Sequence, residues 1–268
     1  VARISAFLRE GDQDETPEVL SEQDNVAFTG TKIYGSGFTF DDTAAEKGKA
    51  TSIAEMHRLI AANPRNADRI KPYLGGEEVN NDPEHRHHRY VIDFEDFPLR
   101  RCDRLPLWAT MEEAARADCL REGIVPRDYN GAVAEDWPDL LAIVERLVRP
   151  ERQKNGPNAD YKDHEKTWWL FQRSRAQLYD QISALEHAWV TNAGASPHLV
   201  WAPQPTNRVL SHALAIVADE TSVYCALLQS RVHEVWARLL SSSMKDDLRY
   251  APTDCFQTFP MPQGFRES

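Results

Sequence analysis

The chain has few cysteines, and none of them stands close to another. There are 4 in 268 residues, Cys102, Cys119, Cys225 and Cys255, and no CxxC pair occurs. This spacing excludes a zinc ribbon and argues against a framework of disulfides. We therefore predict reduced thiols in a cytoplasmic protein.

Long apolar runs are also lacking. No stretch approaches the roughly 18 apolar residues of a membrane span, and the acidic N-terminal segment lacks the basic-then-apolar order of a signal peptide. The sequence therefore predicts no membrane partner. The remaining composition, 41% hydrophobic and 27% charged, is that of an ordinary globular protein.

A nucleotide-binding loop is missing, although the stretch GTKIYGSGF (30–38) is rich in glycine. A P-loop needs a lysine after its last glycine, where Ser36 stands here, and a dinucleotide loop has to continue into a helix. This stretch continues as an apolar, strand-like pattern. We predict that its glycines form a tight hairpin between two short strands, with close approach of a partner's backbone as the alternative.

Acidic residues outnumber basic ones, which gives a formal net charge of −11, but the charges are unevenly distributed. Residues 9–24 hold 7 acidic residues and 1 arginine, whereas residues 149–175 hold 7 lysines or arginines and 4 acidic residues. The second segment interleaves its cations with Tyr161, Trp168, Trp169 and Phe171. Such cations contact phosphates, and aromatic rings stack on bases or anchor a helix. The alternative is a solvated basic helix face with a tryptophan in the core.

Metal and hydrolytic chemistry have little support. His85, His87 and His88 are nearly adjacent, so in a strand they would not share one face, and no carboxylate or cysteine has ligand spacing. A self-contained nuclease built on this cluster is an alternative. No G-x-S-x-G elbow is present, so a serine hydrolase is not indicated.

Hydrophobic periodicity predicts helices and strands without strict alternation. Helices are expected over 52–63, around 111–121, from 137 to an end at Pro150, over 164–186 and over 221–243. Strands are expected over 89–94, 187–192, 198–202 and 208–218. This mixture indicates an α+β fold of mixed sheets with flanking helices.

Several phrases, taken in order, resemble one family. NPRNADRIKPYLGGEEVN, RYVIDF, VRPERQKN, WWLFQRSR and LLQSRVHEVWARLLSSSMKDDLRYAPTDCFQTFPMP are similar to the target-recognition region of large bacterial N6-adenine DNA methyltransferases. These are the single-chain type II restriction–modification enzymes and the methyltransferases of phage-defence systems such as BREX and DISARM. The similarity covers residues 25–262 and implies a target-recognition-domain fold.

The catalytic signatures of that family are not among these residues. Its Asn-Pro-Pro-Tyr motif, which grips a flipped adenine, is absent, and Asn63-Pro64 continues as Arg65-Asn66. No loop for S-adenosylmethionine and no nuclease motif is evident. The resemblance therefore implies an acidic linker over 1–24, a DNA target-recognition domain over 25–268, and a catalytic domain N-terminal to both. S-adenosylmethionine is expected in that catalytic domain, with no cofactor, metal or activity in this chain.

The resemblance implies a DNA-binding surface and does not assign single base contacts. The expected partners are double-stranded DNA and the methyltransferase domain of the same parent protein. The candidate contacts are Lys32 and Ser36 near the hairpin; Arg149, Arg152, Lys154, Arg173 and Arg175 on phosphates; Ser196, His198 and Arg208 near base edges; and Lys245 and Arg249.

The alternative function is a protein-interaction module of a phage-defence assembly that does not contact DNA. The placement of charge separates the two hypotheses. DNA recognition predicts that Lys32 and the basic residues of 149–175 share a concave face, whereas docking predicts a contiguous acidic or apolar patch.

Overall fold

The computed structural model describes residues 17–154, 164–244, 247–262 and 264–265. Lys245, Tyr161 and residues 1–16 of the predicted linker lie outside this part of the chain. Among the helices described, none is both long enough and apolar enough to cross a membrane. The chain divides into two compact units. Unit 1 comprises Val1–Gly30, Leu74–Arg86 and Arg175–Ser268, and unit 2 comprises Thr31–Tyr73 and His87–Ser174.

Short strands and short helices alternate irregularly along the chain. The strands are β1 (Ala27–Thr29), β2 (Thr39–Phe40), β3 (Ile70–Leu74), β4 (Arg89–Ile92), β5 (Arg100–Cys102), β6 (Ile124–Pro126), β7 (His187–Asn192), β8 (Ala195–Ser196), β9 (Ala202–Pro205), β10 (Val209–Leu210), β11 (Leu214–Val217), β12 (Ser242–Met244) and β13 (Asp247–Arg249). The α-helices are α1 (Asp42–Glu46), α2 (Ile53–Ala62), α3 (Gly76–Asn81), α4 (Glu113–Glu122), α5 (Pro138–Leu147), α6 (Arg149–Lys154), α7 (Ala176–Ile182), α8 (Ser222–Leu228), α9 (Arg231–Leu240) and α10 (Pro252–Cys255). Single 3-10 turns cover Ser21–Gln23, Ser36–Phe38, Pro64–Arg69, Trp108–Thr110 and Ala134–Asp136.

Unit 1 is built on an antiparallel sheet in the order β1-β11-β7-β9. Strand β11 reads Leu-Ala-Ile-Val, and all of its residues are buried. Leu214 and Ile216 belong to a core that includes residues of α7, whereas Ala215 and Val217 belong to a second core with residues of α8 and α10. Because successive side chains of a strand point to opposite faces, this sheet is covered on both sides. A smaller antiparallel sheet in the order β12-β13-β8 completes the unit.

Unit 2 contains the antiparallel strands β2, β4 and β3, with β4 between the other two. It also contains the parallel pair β5–β6. Helix α5 buries Leu140, Ile143 and Val144, which recur at the three-to-four spacing of one helix face. The mixture of antiparallel sheets, one parallel pair and flanking helices confirms the predicted α+β class.

The regular patterns were predicted well. Helix α2 begins after Ser52, whose side chain accepts a hydrogen bond from the Glu55 N–H, and it ends at the Asn63-Pro64 step. The predicted strands at 89–94 and 187–192 are β4 and β7, and the short helix around 111–121 is α4.

The predicted glycine hairpin is wrong. Strand β1 pairs with β11, and β2 pairs with β4, so the stretch 30–38 connects two different sheets. A Cβ on Gly30 would lie 2.2 Å from the Ser211 carbonyl oxygen, and a Cβ on Gly37 would lie 2.5 Å from Leu147 Cβ. Two of these glycines therefore permit close packing within the chain.

The helix predicted over 164–186 is also wrong in its first half, since only 176–182 is helical. Trp168, Trp169 and Phe171 are all buried, in a stretch of turns that precedes α7. Arg175 stands before α7 in the left-handed conformation, with φ 62°. Trp168, Trp169 and Phe171 thus anchor the core.

The remaining corrections concern element ends. The helix predicted over 221–243 is two helices, because the Ser230 side chain accepts from the His233 N–H and starts α9. Pro150 lies in the first turn of α6, where its missing N–H is tolerated, and does not end the helical region. The strand predicted over 198–202 overlaps β9 only at Ala202, and the strand predicted over 208–218 is interrupted between β10 and β11.

Residues 20–23, at the end of the predicted linker, pack on the C-terminal segment of unit 1. The Leu20 N–H donates to the Gln257 carbonyl, and the Gln23 amide donates to the Phe259 carbonyl. The boundary at residue 24 stays a prediction.

Candidate nucleic-acid interface

Two of the predicted phosphate contacts are brought together in unit 2. Lys32 and Arg173 form an isolated antiparallel bridge, in which each backbone N–H donates to the other residue's carbonyl over 3.1 Å. Side chains of directly paired residues lie on the same side of the bridge. Like charges in this position repel each other, and among the described residues no carboxylate lies within ion-pair distance of either cation.

The chain around this pair is held by its neighbours. The Thr31 hydroxyl donates to the Ser174 carbonyl over 3.2 Å, directly beside the bridge. Arg173 is exposed and Lys32 is partly exposed. The two cations therefore sit on a braced piece of backbone with their charges facing water, which suits the binding of an anion.

Arg152 has a different role from the predicted one. It is 4% exposed, and its guanidinium donates to the carbonyls of Ile33 and Tyr34 over 3.2 and 3.1 Å and of His164 and Thr167 over 3.4 and 3.0 Å. Burial lowers the pKa of the guanidinium to about 10, so it stays charged at neutral pH. These contacts tie three segments of unit 2 together and remove Arg152 from the candidate phosphate contacts.

Arg149 lies on the surface but is already paired. Its guanidinium donates to Glu145 over 2.6 Å and lies 5.6 Å from the centre of the Trp168 ring. The adjoining pocket of about 430 Å³ is lined by three cations and three carboxylates, Arg100, Arg149, Lys166, Glu122, Glu135 and Glu145. Because these charges balance, this part of the basic segment carries little net attraction for phosphate.

Ser36 and Lys154 line a more basic pocket of unit 2. This pocket, of about 490 Å³, also contains Lys49 and Arg146, with Glu151 as its one acidic residue. Sequence reasoning missed Lys49 and Arg146, because single charges in polar stretches carry no signal of their own. Three cations around one carboxylate leave a net positive pocket.

The other predicted contacts belong to unit 1. The Ser196 side chain is buried, and its hydroxyl donates to the His198 carbonyl over 2.9 Å. The imidazole of His198 is exposed. Arg249 is exposed on β13, opposite Ala195 of β8, and Arg175 is partly buried at the start of α7.

Arg208 is partly buried, and burial lowers the pKa of its guanidinium. It donates to Gln204 Oε1 over 3.4 Å, and Gln204 Nε2 lies 3.0 Å from His85 Nδ1. Arg208 therefore acts inside unit 1 through Gln204, whose side chain is buried.

A pocket of about 420 Å³ in unit 1 contains Ser196 and His198 together with residues that the sequence did not suggest. The additional polar residues are Asn80, Asn81, His85, Thr191 and Asn192. Its lining combines these neutral polar side chains with apolar ones such as Val79 and Val200, and it holds no lysine, arginine, aspartate or glutamate. Neutral donors and acceptors of this kind suit hydrogen bonds to base edges better than the binding of phosphate.

The histidine cluster has no metal-like arrangement in the part of the chain that the structure describes, which contains no group of three potential ligands. His85 is hydrogen-bonded to Gln204, and the His87 ring packs edge-on against Tyr90 at 5.1 Å. The four cysteines are free thiols.

Part of the chain matches a family of known proteins. Residues 142–263 match the family model of the MmeI target recognition domain. This segment is similar to the target recognition domain of MmeI. The predicted resemblance to the target-recognition region of type II restriction–modification enzymes is confirmed.

Two individual proteins are similar to this chain, one in its fold and one over a short stretch of sequence. A solved structure of the Type IIL restriction-modification enzyme MmeI in complex with DNA is similar over 98% of this chain and 28% of that chain, with a TM-score of 0.60 and 16% identity. DNA methyltransferase A of Bacillus subtilis (strain 168) is 31% identical over 55 residues, which are 20% of this chain and 6% of that protein. The chain thus spans much less than two thirds of either relative. The comparisons favour target recognition over the protein-interaction module.

Proposed function

We propose that this chain binds double-stranded DNA and recognises the target sequence of an N6-adenine methyltransferase of the restriction–modification type. Cations set the position on the duplex through phosphates, and neutral polar side chains read base edges in the major groove. The catalytic domain, with its S-adenosylmethionine, belongs to another part of the parent protein. That domain flips the adenine while the recognition domain holds the duplex.

The observation that carries the proposal is the Lys32–Arg173 bridge. Two cations face each other across one bridge, and the described residues supply no carboxylate to either of them. The net positive pocket of Lys49, Arg146 and Lys154 adds charge in the same unit. Phosphate oxygens would relieve the repulsion in both places, which is the usual function of uncompensated cations in DNA-binding proteins.

A salt series of duplex binding tests this proposal. We expect Lys32→Gln combined with Arg173→Gln to weaken binding of a mixed-sequence duplex and to reduce the slope of log K against log salt by about 1.8, or about 0.9 per phosphate contact. The matched control is Arg58→Gln combined with Arg121→Gln. It removes the same charge from exposed residues paired with Glu55 and Asp118.

Two results would contradict the proposal. One is the absence of duplex binding by the wild-type chain at low salt, and the other is an equal change of slope in the control variant. Calorimetric titration with S-adenosylmethionine tests the placement of the cofactor separately. Saturable binding to this chain would place the cofactor site here.

A further inference from the structure

The neutral polar pocket of unit 1 contains two hydrogen-bond donors whose orientation is fixed by the rest of the unit. These donors are the Asn192 side-chain amide, at the end of β7, and the His85 imidazole, which follows α3. Both line the same pocket of about 420 Å³.

The orientation of Asn192 is set by its oxygen. Its Oδ1 accepts a hydrogen bond from the Gly194 N–H over 2.9 Å. The amide nitrogen is therefore left with its two hydrogens, and the described residues supply no acceptor for them. An asparagine held in this way presents a donor and cannot turn to present its acceptor without breaking the bond to Gly194.

Close packing against Gly76 also holds Asn192. A Cβ on Gly76 would lie 2.7 Å from Asn192 Oδ1 and 3.2 Å from its Cγ, whereas its backbone has no unusual conformation. Glycine at position 76 is thus required by space alone. Any larger residue would move the Asn192 side chain.

The proton of His85 is placed by a relay through Gln204. Arginine has only donors, so the oxygen of Gln204 must face Arg208, at 3.4 Å. The nitrogen of Gln204 then faces His85 Nδ1 at 3.0 Å and donates to it. In a neutral imidazole with an accepting Nδ1 the proton lies on Nε2.

The backbone supports a functional role for His85. It has φ 48°, in the left-handed region that residues other than glycine seldom adopt. Strained backbone of this kind is concentrated at functional sites. Here the strain places the imidazole beside Gln204.

We propose that Asn192 and His85 are specificity-determining residues that read a base carrying two acceptors in the major groove, which is guanine. Guanine presents O6 and N7 there, whereas adenine and thymine present one acceptor each and cytosine presents a donor. Arg208, Gln204 and Gly76 are positioning residues for the two donors. This inference rests on the proposed function, since it assumes that the chain binds duplex DNA.

Selection from a randomised duplex library tests the inference. The wild-type chain is incubated with duplexes that carry 12 random base pairs, and the bound fraction is sequenced. We expect a guanine preference that falls about fivefold to a hundredfold in Asn192→Asp and in His85→Asn, without a comparable change at other selected positions. Asparagine is chosen at position 85 because it tolerates the left-handed conformation.

Two further variants complete the design. Gly76→Ala should weaken the same preference through the displacement of Asn192, although it changes no hydrogen-bonding group. Asn130→Asp, at an exposed asparagine of unit 2, adds the same charge as Asn192→Asp and should leave every base preference unchanged. Far-UV circular dichroism and thermal melting establish that each variant is folded.

The outcomes separate the two proposals. If the wild-type chain binds no duplex at low salt, the proposed function fails and the inference fails with it. If the wild-type chain selects a sequence and both Asn192→Asp and His85→Asn retain its preferences, the inference is overturned and the proposed function stands. Loss of a preference for a base other than guanine would overturn the donor argument.

Discussion

Arg152 offers a sharp test of the role of the basic segment 149–175. The sequence predicts that it contacts phosphate, whereas the structure buries it as a hydrogen-bond donor within unit 2. The substitution Arg152→Met keeps most of the length of the side chain and removes the guanidinium. It leaves the carbonyls of Ile33, Tyr34, His164 and Thr167 without that donor. Since the site is 4% exposed, water cannot easily replace it.

The magnitude follows from these contacts. A hydrogen bond from a charged donor contributes about 1.5–3 kcal/mol, but the bonds share one guanidinium and one of them is 3.4 Å long, so they do not add. A buried acceptor that is left without its donor typically costs about 1–3 kcal/mol. We expect a loss in that range for Arg152→Met, which is a large part of the total stability of a typical domain.

Urea unfolding followed by circular dichroism measures this loss. The matched control is Arg149→Met, which removes an exposed guanidinium paired with Glu145 and should change the free energy of unfolding by less than about 1 kcal/mol. The reasoning would be refuted if Arg152→Met were as stable as the wild-type chain while its affinity for duplex DNA fell. That result would make Arg152 a DNA contact after all.

Three further predictions concern the stability of the two units. Burial lowers the pKa of His233 to about 4 from 6.5, so the unfolded chain takes up a proton at higher pH than the folded one. The contribution of His233 to the free energy of unfolding should be complete above pH 6.5 and fall by about 3 kcal/mol as the pH drops to 4. Urea unfolding at several pH values measures this loss, and the free energy of unfolding of His233→Gln should depend less on pH. Gly123 has φ 72°, and a Cβ there would lie 2.4 Å from the Trp169 ring. Gly123→Ala should therefore lower the free energy of unfolding by about 2 kcal/mol or more, and an unchanged melting temperature would contradict this. Ser230→Ala removes the cap of α9 and should cost about 1 kcal/mol, whereas Ser230→Asp should restore most of it.

The parts of the fold that followed from the sequence are those with one regular pattern. Helix α2 and strand β4 have their own hydrophobic periodicity and end signals, so interactions between residues close in sequence determine their type and their position. The helix predicted over 164–175 is absent because helix propensity is local, whereas the burial of Trp168, Trp169 and Phe171 is imposed by distant residues. The hairpin prediction for the glycines of 30–38 was wrong for a similar reason, since the residues that pack against Gly30 and Gly37, Ser211 and Leu147, are remote in sequence.

The candidate site was predicted only in outline. The pairing of Lys32 with Arg173 is a long-range backbone contact, so the sequence suggested both residues without showing that they meet. Arg149 and Arg152 look alike in the sequence, and only the fold distinguishes a paired surface arginine from a buried one. Asn192 gave no signal, because neutral polar residues at strand ends are common, and the sequence suggested His85 only as part of a possible metal cluster.

The distribution of charge also explains how an acidic chain can serve in DNA recognition. Several exposed arginines are neutralised by a carboxylate three or four residues earlier in the chain, among them Arg58, Arg121, Arg149 and Arg238. If the proposed function holds, phosphate is then contacted by a small set of unpaired cations, and affinity for random DNA stays low because it scales with the number of phosphate contacts. Each base read by hydrogen bonds contributes discrimination of about 1–3 kcal/mol. Weak phosphate binding combined with fixed donors at base edges raises the ratio of specific to non-specific binding, which is the quantity that target recognition requires.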